Sequence, residues 1–352
     1  MARYGHHIRP RTPLLVAVVS CLALTACGSD EESDSTASGD SEQLGSVTLA
    51  SPPGLYNSLP VLVAEEEGIF ADHGVEIEPL EMSGGGTLIS AVASGSADVG
   101  MNISPQLVGI AVQQGQDIAF FCGQSPRFFG DLLAAPDSDL PTVEEAGSYE
   151  EVLQALEGRT VGVIALGGVA DRAFQGALTE AGVDPAEVPL VAVGAGPAAV
   201  TAFETGQVDV LYGYPFVTQR LIAEDKAKML VDLAAEAPLF QDLYGSGFIA
   251  QRQWIEENGD LAQALCDAYG EGIDAMEDPA NAETVNGLLT SQFQLEGEET
   301  LDAARELLNG VLTTEISEDQ MNATYRVSAE VGAMPAEPEL SYDNTVLLPN
   351  SD

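Results

Sequence analysis

Two stretches of the chain carry the residue types from which a small-molecule site can be built, and both follow one grammar. The first runs Ser83-Gly84-Gly85-Gly86-Thr87, an apolar run to Ala93, then Gly95-Ser96-Ala97-Asp98-Val99, and closes on Ser104-Pro105. The second runs Val193-Gly194-Ala195-Gly196-Pro197, an apolar run to Phe203, then Gly206-Gln207-Val208-Asp209-Val210, and closes on Tyr214-Pro215-Phe216. Each reads as a strand end, a glycine turn, a helix stopped by glycine, and a new strand. A helix that opens on glycine leaves backbone N–H groups unpaired at the positive end of its dipole. Polar and anionic ligands are readily held there. Taken singly, Gly-x-x-Asp is no more than a helix cap running into a strand. Repetition of the whole unit suggests two similar lobes closing on one small molecule.

The elements around these units alternate. Ser46–Ser51, Val75–Leu80, Asp117–Gly123 and Leu132–Ala135 read as strands, with helices after Ser58 and Pro105. A second series comes after them. Tyr149–Leu156 is helical, Thr160–Ile164 is a buried strand, and Gly167-Gly168 opens a helix through Ala181. Val188–Val193, Val208–Leu211 and Met229–Leu233 are further strands, and Phe216–Glu224 is a helix. Strands alternating with helices of this length imply parallel sheets covered on both faces. Gly247–Ala250 reads as a return strand, and from Gln253 the pattern is almost wholly helical up to a loose tail from Pro335.

The first 26 residues are not fold. Arg3, Arg9 and Arg11 precede an apolar run from Leu14 to Leu24, too short to span a membrane as a mature helix. Leu24-Thr25-Ala26-Cys27 resembles the lipobox of bacterial lipoproteins, in which the cysteine is acylated and becomes the new N-terminus. From Cys27 to residue 45 the chain is Ser, Asp, Glu, Gly and Thr with little to bury, which predicts a disordered acidic tether. The formal charge is −44, and without the three leader arginines nine basic residues face 56 acidic ones, or −47. That excludes a general nucleic-acid binder, which needs a basic face. Of the 4 cysteines, Cys122 and Cys266 remain once Cys21 leaves and Cys27 is acylated. Both fall in the first lobe and could bridge in an oxidising compartment. His73 is the one histidine after the leader, so neither a zinc cluster nor a His-dependent triad is expected, and no metal or cofactor is called for.

With these residues in view, a family is legible. Leu59-Pro60-Val61-Leu62-Val63-Ala64-Glu65-Glu66-Glu67-Gly68-Ile69-Phe70 resembles the opening of the solute-binding proteins of nitrate, sulfonate, taurine and thiamine-precursor ABC importers. Gly158-Arg159-Thr160-Val161-Gly162-Val163, both glycine units and Ala250-Gln251-Arg252-Gln253-Trp254-Ile255-Glu256 are similar to that family too, over about Val47 to Gly272. The resemblance implies two doubly wound α/β lobes of the type II periplasmic-binding-protein kind, joined by two crossovers, near Ala134–Pro141 and Tyr244–Ala250. It divides the chain into a signal peptide (1–26), a tether (27–45), lobe 1 (46–136 with 246–352) and lobe 2 (137–245). The C-terminal helices are expected on lobe 1. The ligand lies between the lobes, which close by hinge motion and dock on membrane permease subunits.

Carried over residue by residue, the site comprises Tyr56, Asn57, Gly86, Thr87, Asn102, Ser104 and Gln124 in lobe 1. Gly168, Val169, Gly196, Tyr214 and Phe216 belong to it in lobe 2. Asn57 and Thr87 could equally be helix caps, and Tyr214 and Phe216 core residues. Arg127 is the candidate anion clamp and Arg172 its rival. Tyr56, Phe128, Phe129, Tyr212, Tyr214 and Phe216 fall at strand ends near the cleft, which suits a planar heteroaromatic solute such as a thiamine-precursor pyrimidine. A sulfonate or nitrate would need N–H groups and an arginine around one anion. The expectation is a monomeric, non-enzymatic, lipid-anchored binding protein outside the membrane. Its alternatives are a same-fold enzyme of thiamine-pyrimidine or menaquinone synthesis, or a lipoprotein that senses its ligand.

Overall fold

A computed structural model describes residues 43–350 apart from 83, 168, 242 and 331. Cys27 with its leader, the tether up to residue 42, Ser83 and Gly168 therefore lie outside the described residues, and of Val169 only the backbone is placed. The end of the expected tether is ordered, with Leu44 N–H donating to Gly74 O at 2.8 Å and Gly45 already in the first strand.

The chain lays down β1 (Gly45–Ser51), β2 (Val75–Glu81), β3 (Val99–Ile103) and β4 (Ile118–Ser125). It crosses to a second sheet as β5 (Asp131–Ala134) and continues with β6 (Val161–Val163), β7 (Leu190–Ala192), β8 (Val210–Gly213) and β9 (Lys228–Asp232). It then returns to the first sheet as β10 (Ser246–Gln251). The strand orders are β2-β1-β3-β10-β4 and β7-β6-β8-β5-β9. The two orders are equivalent. In each sheet three strands run parallel, and the fourth place is taken by the strand on which the chain has just crossed, antiparallel to both neighbours. The sheets are thus mixed, where the alternation of strands and helices predicted parallel ones. β5 also belongs to the second sheet, so the first crossing falls at residues 126–130 and not near Pro136. The crossings lie side by side, because Gly245 N–H donates to Ser125 O at 3.0 Å.

The helices that cover these sheets and frame the cleft are α1 (Leu59–Glu66), α2 (Gly85–Ala93), α3 (Pro105–Gln113), α4 (Val169–Glu180), α5 (Pro197–Glu204), α6 (Val217–Ala223), α7 (Gly259–Glu277), α8 (Ala282–Phe293), α9 (Glu298–Leu308) and α10 (Glu318–Glu330). Alternation along the strands gives each sheet two buried faces. Phe121 and Phe248 point to a core with α1 and α7, while their neighbours Phe120 and Ile249 point to one with α2, α3 and α10. In the second sheet Leu132 and Tyr212 face α4, and Leu133 and Leu211 face α5 and α6.

The repeated aspartate has a structural use. Asp98 Oδ2 accepts the Thr48 N–H at 2.9 Å, and Asp98 N–H donates to Thr48 O at 3.1 Å. Asp209 makes the same pair with Thr160, at 2.8 and 2.9 Å. Each carboxylate holds the end of its glycine unit to the neighbouring strand by a charge-assisted bond, which fixes where the helix between them starts. Gly84 and Gly196 precede α2 and α5 with φ of 90° and 57°, a region open mainly to glycine.

The C-terminal helices do more than cover the first sheet. α7 packs on α1, so closely that a Cβ on Gly272 would sit 2.5 Å from Pro60 O. At the end of α8, Phe293 meets Phe216 of the second half edge-on at 4.7 Å between ring centroids, and Oε1 of the next residue, Gln294, accepts from Arg220 at 3.2 Å. The tail is not loose: Leu347 N–H donates to Phe120 O at 2.8 Å and Val346 is buried, which covers the outer edge of β4.

A disulfide joins Cys122 on β4 to Cys266 on α7, 144 residues apart in sequence. A loop of that length removes about 4–5 kcal/mol of chain entropy from the unfolded state. The double variant Cys122→Ala/Cys266→Ala should lose about 2–5 kcal/mol of unfolding free energy in urea, with the fold retained by circular dichroism.

Candidate functional site

A cavity of about 190 Å³ lies between the two sheets. Its first-sheet side is made by the turn after β1 (Pro52, Leu55, Tyr56, Asn57), the start of α2 (Gly84, Gly85, Leu88), and the β3–α3 junction (Asn102, Ser104, Leu107). The crossings add Arg127, Phe128, Phe129, Gly245 and Ser246, and the second sheet adds Ile164, Ala165, Tyr212 and Tyr214.

Three buried polar atoms on this wall have no hydrogen-bond partner among the described residues: Asn57 Oδ1, Asn102 Oδ1 and Ser104 Oγ. Asn57 is 4% exposed, its Nδ2 donates to Ser246 Oγ at 2.9 Å, and its carbonyl accepts from Tyr269 Oη at 3.2 Å. It caps nothing: no side-chain bond closes the N-terminus of the helical turn it occupies or of α1. Asn102 has φ of 62°, and its N–H donates to Gln124 Oε1 at 2.7 Å while its Nδ2 donates to Ser58 Oγ at 3.1 Å. Positive φ is tolerated best by asparagine among residues with a Cβ. The Gln124 side chain fixes it from behind, fully buried and not part of the wall.

The remaining walls are aromatic and aliphatic with a single charged side chain, Arg127. Burial pushes the Tyr56 phenol up to about 12 against the opposing effects of Ser125 and Arg127, so it stays a neutral donor, to Ser125 Oγ at 3.1 Å. Burial raises Tyr212 and Tyr214 further. Both hydroxyls are engaged, Tyr212 Oη donating to Phe129 O at 3.0 Å and Tyr214 Oη accepting from Gly196 N–H at 2.6 Å. Arg127 is the one charged residue of the wall. It is exposed, stacks 4.5 Å above the Phe129 ring, and has no ion pair among the described residues. In a chain of net charge −44 no carboxylate among the described residues faces the cavity.

Several expected site residues stand elsewhere. Gly86 and Thr87 are exposed beyond the helix start; Thr87 Oγ1 donates to Gly84 O at 2.6 Å, and the turn presents Gly84 and Gly85 instead. Gly196 is not part of the wall: it faces Gly54, whose Cα would be 3.7 Å from a Cβ there. Phe216, at φ 75°, turns from the cavity into the seam with Phe293. Arg172 binds two backbone carbonyls, those of Gly167 and Ala333. Ser246, Leu88, Leu107 and Ile164 were missed, and only Ser246 between two glycines left a trace in the sequence. His73 is off the wall, bonded to Glu271 at 2.8 Å. No cluster of three His, Cys, Asp or Glu side chains suited to a metal occurs among the described residues.

A family model described as NMT1/THI5 like matches residues 56–282. The chain belongs to the NMT1/THI5-like family. The matched span of this NMT1/THI5-like chain contains both glycine units and every wall residue except Pro52 and Leu55. A protein of Bordetella bronchiseptica RB50 superposes with a TM-score of 0.71 at 23% identity, covering 86% of this chain and 94% of that one. The alkanesulfonate-binding protein SsuA from Xanthomonas axonopodis pv. citri, bound to MOPS, gives 0.69 at 16% over 88% and 99%. The periplasmic nitrate-binding protein NrtA from Synechocystis PCC 6803 gives 0.64 at 15% over 85% and 84%. At these identities the likeness is one of fold: two α/β lobes of the periplasmic-binding-protein kind. A search of curated protein sequences finds no match.

Behind the cavity Asp131 is 7% exposed, and its carboxyl is pushed up to about 6. Burial is the main cause; the Thr218 hydroxyl, which donates to it at 2.6 Å, opposes, Asp232 adds, and Arg127 opposes. Its folded pKa exceeds the unfolded value of about 3.9, so the folded state binds more protons between about pH 4 and 6 and stability falls as pH rises through that window. In urea unfolding, Asp131→Asn should gain on the parent by about 2 kcal/mol between about pH 4 and pH 8.

Proposed function

We propose that this chain is the solute-binding component of an ABC importer, exported and held by lipid on Cys27 to the outer face of the membrane. It takes a small organic solute between its two sheets and presents it to permease subunits, without chemical turnover. The observation that carries this reading is the pair of buried amide oxygens and one hydroxyl left without partners among the described residues on the wall of a largely apolar cavity. Each such group costs about 1–3 kcal/mol unless a ligand satisfies it. The cavity is smaller than the roughly 300–1,000 Å³ of sites for drug-sized molecules, which limits the solute to a few heavy atoms more than one ring. Its neighbours in fold include binding proteins for alkanesulfonate and nitrate, and the family resemblance adds thiamine-precursor pyrimidines.

Aromatic walls and uncharged hydrogen-bonding groups favour a planar heteroaromatic solute of the thiamine-precursor kind, stacked among Tyr56, Phe129 and Tyr214. A sulfonate is the second reading, favoured by the unpaired Arg127 at the mouth.

A thermal-shift screen of pyrimidines, taurine, alkylsulfonates and nitrate decides between them, since a ligand bound only by the native state raises its stability. A pyrimidine should raise the melting temperature, Asn57→Leu should weaken it about tenfold, one lost hydrogen bond of about 1.4 kcal/mol, and Arg127→Ala should matter little. Response to sulfonates alone, abolished by Arg127→Ala, reverses the choice of solute. Response to none of them rejects the transport reading.

A further inference from the structure

One guanidinium joins the cavity wall to the opposite half of the molecule. Arg172 lies in the first turn of α4, just past the turn whose Ile164 and Ala165 line the cavity. Its Nε donates to Gly167 O at 3.2 Å, at the end of that turn. Its Nη1 reaches 161 residues along the chain to donate to Ala333 O at 3.0 Å. Ala333 follows α10, which packs on α3, and the adjoining Met334 is buried in the core of the first half. The other end of Gly167 is held as well. Its N–H donates to Asp171 Oδ2 at 2.5 Å, and Asp171 is 4% exposed and also accepts from Gln175. Asp171 and Arg172 therefore grip both backbone groups of one residue, and Arg172 alone extends that grip across the seam.

We propose that Arg172 is a positioning residue: it fixes the second-half wall of the cavity and the closed relation of the two halves with the same side chain. An arginine suits this, because its planar fork directs separate donors at two carbonyls, where a lysine ammonium is a single point charge. Loss of the Ala333 contact frees the Ile164–Gly167 turn on one side of the seam and the chain after α10 on the other. A solute that presses the wall into place thereby strengthens closure, and closure in turn completes the wall. The seam contacts made by Phe216 on Phe293 and by Arg220 on Gln294 lie in the α5–α6 half of the lobe and do not touch this turn.

Hydrogen exchange by mass spectrometry on the ligand-free mature protein tests this whether or not a solute is known, so its result is independent of the transport reading. In Arg172→Met, peptides covering 161–167 and 332–340 should both exchange at least about tenfold faster, while the core strand 118–125 is unchanged. Arg172→Lys should restore one of the two peptides and not both. Unchanged exchange at either end in Arg172→Met overturns the proposal. So does uniform acceleration across all peptides, which marks loss of overall stability and not release of a seam.

Discussion

Burying an amide oxygen with nothing to bond is the constraint on which this structure turns. Proteins satisfy almost all buried polar groups, and one left open costs free energy that packing must offset. Here Asn57 Oδ1, Asn102 Oδ1 and Ser104 Oγ stand open on one wall. Their neighbours hold them in place: Gln124 Oε1 accepts from the Asn102 N–H while its Nε2 is itself open, Ser246 takes the Asn57 Nδ2, and the Tyr212 and Tyr214 hydroxyls are tied to backbone. The open atoms are therefore held still by bonds made at other atoms of the same residues and their neighbours. Such preorganisation cuts the cost of binding.

What aims this wall is the duplicated β-turn-helix-β unit. Asp98 and Asp209 pin equivalent strands, so α2 and α5 start at equivalent places above two sheets of the same strand order. The two crossings run side by side and supply Arg127 to Phe129 and Gly245 to Ser246, which sets both of them against the cavity. The chain after β10 then ties back across the seam, through Phe293 to Phe216 and Ala333 to Arg172. The C-terminal helices thus tie the two halves together as well as covering the first sheet.

Much of this was legible in the residues. Both glycine units, the return strand and the long C-terminal helices follow from caps and periodicity, local signals that the fold obeys. What was hidden depends on long-range placement. β5 reads as a strand, but nothing local says in which sheet it pairs. Gly86 and Thr87 looked like ligand positions because the run of glycines leaves the exact helix start open; with Gly84 as the cap, the helix presents Gly85 and Leu88 to the cavity. Phe216 was misplaced for the same reason, since its φ of 75° reverses its direction relative to Tyr214. Arg172 reads from sequence only as a rival anion clamp, because its partner, Ala333, lies in the other half of the molecule.

The most direct test of the central claim is a crystal structure of the mature protein with whichever solute raises its melting temperature most. The expected result is that solute between the two sheets, with polar atoms in hydrogen-bond distance of Asn57 and Asn102 and a face against the Tyr56–Phe129 pair. Density for it in another groove, or between the sheets but with both asparagine side chains still unpartnered, would contradict the claim.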